Sequence, residues 1–147
     1  MFEEELQQIQ DVTTHLCQDS NANVAFVIDR NGKMVAGSGD FDKLDTTSLA
    51  SNIPARAEIA KRLKEDKSAF YADGTLSIHV QLVADCLILI VTFGLTSTLG
   101  LVRLRVRTSI AELNGILEAL LRKAQATRTD MPFATISNQD IDNLFSD

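Results

Sequence analysis

In 147 residues this chain has no tryptophan and only two cysteines, two histidines and two prolines. Cys17 and Cys86 each stand alone inside an apolar pattern. They form neither a metal-binding nor a redox motif, so buried free thiols are expected. Neither His15 nor His79 has a carboxylate or cysteine beside it at ligand or triad spacing, which removes the common zinc and nucleophile–base constellations. His79 alternates with Ile78 and Val80 and so points away from their face; a surface or interface position is expected for it. The longest apolar run, Cys86 to Phe93, is too short to span a bilayer. Positive charge is also in deficit. A net charge of −6 speaks against nucleic acid or an anionic membrane as the main ligand. The opening MFEEELQQ lacks the basic-then-apolar order of a signal peptide, and the expected compartment is the cytoplasm.

Two segments resemble ligand loops and fail on inspection. AGSGD follows a strand pattern but lacks the lysine and hydroxyl of a phosphate loop, and no dinucleotide fingerprint follows it. GDFDKLD clusters acids without the spacing or closing glutamate of an EF-hand. Neither a metal nor a cofactor is expected, and no catalytic constellation is visible.

What the chain does contain is regular. Phe2, Leu6, Ile9, Thr13 and Leu16 make a helical stripe over Phe2 to Cys17, with Glu3 to Glu5 in the first turn and QDSNAN ending it. NVAFVIDR and KMVAGSG flank Asn31-Gly32, the strongest short-range hairpin signal. A middle helix opens at Asp45 or Thr46, rich in small residues, with a kink or break expected near Ile53 because Pro54 falls inside it. Three strands follow: SAFYA, a tight turn at Asp73-Gly74, TLSIHVQLV with Leu76, Ile78, Val80 and Leu82 on one face, a reversal at Ala84-Asp85, and CLILIVTF. The last is apolar on both faces, hence central and covered on both sides. Thr98 can cap a last helix from Leu99 to about Lys123, whose buried stripe is Leu99, Val102, Val106, Leu113, Leu117 and Leu120. The sum is α+β, a five-stranded antiparallel sheet with helices on both faces.

The arginines of RLRVR, Arg103, Arg105 and Arg107, admit three roles: pairing with the acidic first helix, a dimer contact, or an arginine finger. A helix middle holds its side chains away from a deep nucleotide pocket, so structural pairing is expected. SAFYA would leave an open sheet edge with Phe70 and Tyr71 nearby, which pairing with a second copy removes; these two residues mark the expected homodimer contact.

Residues 1–124 read as one domain and 125–147 as a flexible linker with a short amphipathic C-terminal helix. The run AQATRTDM has no apolar face and breaks at Pro132. Ser137 is a good N-cap, Asp140 stands three residues on, and Ile136 with Ile141 has staple spacing. Ile141, Leu144 and Phe145 fall on one side of this helix, with Phe133 a further anchor across Pro132. A helix this short needs a surface to form on, and a partner-binding tail is the expected role.

The order helix, two strands, helix, three strands, helix, with VAFVIDRNGKMVAGSG on the first hairpin, resembles the Roadblock/dynein light chain superfamily. DTTSLAS opening the middle helix, TSTLGLVRLRVR opening the last one and the tail PFATISNQDIDNLFSD are similar to bacterial MglB proteins. The resemblance covers essentially the whole chain. It implies that the first and last helices share one sheet face and the middle helix covers the other. It also implies a homodimer around the middle helix and third strand, joining two sheets into one. MglB-like dimers act on a small Ras-like GTPase, MglA, in cell polarity and motility, and stimulate GTP hydrolysis by reordering the GTPase's own switch elements. The implied GTPase-docking platform is the middle helix, with Ser48, Ser51, Asn52, Ala55, Glu58 and Arg62 as candidate contacts. Its second half, ARAEIAKRLKED, departs from the small residues typical of that family. The tail would supply a second grip that biases nucleotide exchange, and recruitment to a cell pole is implied. The alternative function is a dimeric scaffold that recruits polarity or motility proteins without altering nucleotide turnover. An enzyme in its own right is not expected.

Overall fold

In the computed structural model the chain runs α1 (Glu3–Asp19), β1 (Val24–Ile28), β2 (Met34–Gly39), β3 (Ser68–Asp73), β4 (Leu76–Val83), β5 (Leu87–Phe93) and α2 (Leu99–Thr127). The structure describes residues 3–29, 34–39, 61, 64–65, 68–73, 76–84, 86–95 and 97–127. Lys61, Lys64 and Glu65, between β2 and β3, are helical; the rest of the expected middle helix, Pro54 included, lies outside the described residues, as does the tail.

The five strands are ordered β2-β1-β5-β4-β3, with every pairing antiparallel. β5 is central, as its apolar composition requires, and all seven of its residues are buried. Leu87, Leu89, Val91 and Phe93 pack with Ala25 and Val27 of β1 against Ile9, Val12 and Leu16 of α1 and Val102, Val106, Leu113, Leu117 and Leu120 of α2. α1 and α2 therefore share one sheet face. On the opposite face Val24, Ile78, Val80, Leu82, Ile88 and Ile90 are also buried.

Local chemistry sets the ends of the elements. α1 closes with Asn21 in the left-handed region at φ 54°, the Ala22 amide bonding Cys17 O at 3.1 Å and the Asn21 amide bonding Gln18 O at 3.2 Å. Ser97 Oγ donates to the carbonyl of Ser20, joining the end of α1 to the approach of α2. Thr98 caps α2 as expected: the Leu101 amide bonds its Oγ1 at 3.2 Å. The β4–β5 turn places Ala84 at φ 51°, with the Cys86 amide on Val83 O at 3.0 Å.

Three expectations are corrected. Leu6, placed on the apolar helical stripe of α1 with Ile9 and Leu16, is 38% exposed, whereas its neighbour Glu5 is 3% exposed. α1 is rotated so that Glu5, Ile9, Val12, Thr13 and Leu16 face inward, and Lys123 meets the Glu5 carboxylate. α2 continues to Thr127, one turn past the end expected at about Lys123; alanine and glutamine extend a helix at little cost. His79, expected at a surface or interface, is 4% exposed. It does point away from Ile78 and Val80, but α2 lies on that side.

No helix among the described residues is long and apolar enough to cross a membrane. Both cysteines are buried thiols that form no disulfide; Cys17 Sγ donates to Ala22 O at 3.5 Å, and burial pushes its thiol pKa up.

Candidate functional site

The candidate GTPase contacts Ser48, Ser51, Asn52, Ala55, Glu58 and Arg62 lie outside the described residues, and so do the tail anchors Phe133, Ile141, Leu144 and Phe145. The expected dimer residues fall on β3, a terminal strand of the sheet. In the strand register Phe70 stands opposite His79 and Tyr71 opposite Ile78. Phe70 is half-buried, its ring stacked on Phe93 with centroids 6.3 Å apart and planes at 27°. It thus joins the core beneath α1 and α2.

The two sheet edges are unlike. At β2, Gln10 of α1 donates to Gly37 O at 2.8 Å and accepts from the Gly37 amide at 3.1 Å. One side-chain amide thereby occupies both backbone groups of an edge residue, a direct way of blunting that edge. Among the described residues no side chain does the same at β3.

A second arrangement was missed by the sequence reading. Beneath α2, Ser68 of β3 and His79 and Gln81 of β4 line a cavity of about 310 Å³ with Arg103, Val106, Arg107 and Ile110. The register explains the convergence, since Ser68 pairs with Gln81 and Phe70 with His79. Arg103 and Arg107 are a turn apart on α2, and so share a side of that helix. Burial first and the Arg103 charge second lower the His79 pKa from 6.5 to about 4, while a hydrogen bond with the Gln81 side chain opposes the change. Its Nδ1 is buried without a hydrogen-bond partner. The available signal was the strict alternation of β4, which put His79 and Gln81 on one face; what lies over that face is set by tertiary packing.

The pairing expected between these arginines and α1 is not formed. The described ion pairs from α2 to α1 come instead from Lys123, on Glu5 and, at 4.0 Å, on Glu4. His15 is exposed on α1. Among the described residues no group of three His, Cys, Asp or Glu side chains is placed to hold a metal.

This architecture, two helices on one face of a five-stranded antiparallel sheet in this strand order, is that of a Roadblock/LC7 domain. The Roadblock/LC7 domain from Streptomyces avermitilis superposes with a TM-score of 0.57 at 14% identity, over 74% of this chain and 97% of that one. Myxococcus xanthus MglB superposes with a TM-score of 0.65 at 35% identity, covering 81% of this chain and 94% of that one. An MglB with a tetrameric arrangement gives 0.61 at 25% identity, over 78% and 91% of the two chains. The chain belongs to the MglB family of Roadblock proteins. No protein-family model and no curated protein matches the sequence.

Proposed function

We propose that this chain is a non-enzymatic regulator of a small Ras-like GTPase of the MglA type, acting as a homodimer to stimulate GTP hydrolysis in cell polarity and motility. The observation that carries this reading is the 35% identity to Myxococcus xanthus MglB over 94% of that protein. Self-association is supported by the MglB solved in a tetrameric arrangement and by the contrast between the edges, with β2 occupied by Gln10 and β3 left for a second copy. In this reading Ser48, Ser51, Asn52, Ala55, Glu58 and Arg62 form the docking platform. Residues 125–147 form a separable element whose Phe133, Ile141, Leu144 and Phe145 grip the GTPase and bias nucleotide exchange.

Single-turnover GTP hydrolysis by the cognate GTPase tests the proposal. The rate rises when this protein is added and changes again with Arg62→Ala. A flat rate with the GTPase still recovered in pull-downs turns the assignment to a scaffold. Sedimentation at micromolar concentration checks the dimer, and a monomer mass overturns it. Phe70→Glu is a poor probe of that interface, because the Phe70 ring packs on Phe93 within one subunit.

A further inference from the structure

The cavity beneath α2 is chemically one-sided. Arg103 and Arg107 line it together, while Arg105 between them in sequence does not. Among the described residues neither Arg103 nor Arg107 has a carboxylate within ion-pair distance, although the chain carries twenty acidic residues against fourteen basic ones. Among the described residues these two cations, one turn apart on α2, thus have no ion-pair partner. His79 adds a buried imidazole whose Nδ1 has no partner. Buried polar atoms are nearly always satisfied, and this unsatisfied one belongs to a side chain that lines the charged cavity.

We propose that this cavity binds a doubly charged oxyanion of the phosphate class, held by Arg103 and Arg107 with His79 as a hydrogen-bonding group at its floor. Guanidinium forks match phosphate oxygens in pairs, and two of them balance a dianion. A volume of about 310 Å³ leaves room for a small organic body behind the phosphoryl group. Gln81 and Ser68 supply uncharged polar contacts on the same wall. Among the described residues no acidic side chain faces His79 from the elements around it. α2 offers Arg103 and Arg107, β3 offers Ser68 and Phe70, β5 pairs Val91 opposite, and Gln81 follows on β4 itself. The site lies on the α2 face of the sheet and is independent of the GTPase reading.

The test is NMR on the isotopically labelled full chain at pH 7, titrating inorganic phosphate while chloride holds the ionic strength constant. Saturable shifts of the Arg103 and Arg107 Nε–H and His79 ring signals are expected. Arg103→Gln and Arg107→Gln should each weaken binding about tenfold or more, and Arg105→Gln should leave it within about twofold. Both arginines are exposed, so these variants are expected to fold even if His79→Gln does not. Glycerol 3-phosphate forms the second arm: tighter binding than phosphate assigns the cavity to a phosphorylated metabolite, equal or weaker binding to free phosphate. Shifts that never saturate, that chloride reproduces, or that persist with both arginines replaced overturn the site.

Discussion

Lys123, near the end of α2, donates a hydrogen bond to Oε1 of Glu5 in the first turn of α1, tying together the two ends of the described chain. The Glu5 side chain is 4% exposed and its other oxygen has no hydrogen-bond partner, so the lysine is what keeps a buried carboxylate charged. Its hydrogen bond holds the Glu5 pKa below the ordinary 4.5 despite the opposing effect of burial. Lys123→Met should therefore lower the melting temperature more than the Glu5→Gln/Lys123→Met double change, because the single change strands the carboxylate. The sign with pH is fixed. Stability from Glu5 is present above pH 4.5 and is lost as pH falls through its lowered folded value. A double-mutant cycle by thermal melts, with no coupling between the two residues, would contradict this.

His79 acts in a different window. Its pKa falls from 6.5 to about 4 on folding, so the unfolded chain binds the proton first. Stability should be full above pH 6.5, drop by on the order of 3 kcal/mol as pH falls from 6.5 to about 4, and level off below. Urea titrations across this range check it: the slope should vanish in His79→Phe if that variant folds. A directly observed His79 titration near 6.5 in the native protein defeats the prediction regardless of variants.

Leu89 is fully buried in the central strand, between β1 and β4 and under both helices. Leu89→Ala should cost about 2–5 kcal/mol by leaving a hole that neither neighbour strand can close. Chemical denaturation measures this directly, and a loss below about 1 kcal/mol would mean the site collapses around the gap.

Gly39 sits at φ 116°, and a Cβ built there would come 2.3 Å from Asn23 O. Gly39→Ala should destabilise by about 1–3 kcal/mol through the backbone conformation, with the clash in addition. At the head of α2, Thr98→Ala should cost about 1 kcal/mol and Thr98→Ser far less, since only the hydroxyl caps Leu101.

Much of this architecture could be read from residue order. The unbroken aliphatic run from Leu87 to Val91 announced the central strand, Thr98 announced the start of α2, and the polar QDSNAN announced the end of α1. These are local signals whose physics is complete within a few residues. The burial of Glu5 and His79 was not legible for the opposite reason. A glutamate beside two others looks solvated until a lysine from the far end of the chain reaches it. The alternation of β4 located the face of His79 correctly, yet no local pattern says that α2 will cover that face. The candidate GTPase contacts rest on resemblance, since those of the middle segment and the tail fall outside the described residues.

The placement of β5 has a consequence for how the protein is made. β1 and β5 are hydrogen-bonded neighbours, with Val24 opposite Thr92, yet the whole middle of the chain is synthesised between them. Until Phe93 has emerged, the β1–β2 hairpin carries one side whose proper neighbour does not yet exist. Closing such a long loop is slow, and an unpaired strand meanwhile invites the wrong partner. A nascent chain stalled just short of β5 should therefore be held by chaperones, and one stalled beyond α2 released, with the sheet zipping shut as a late and single event.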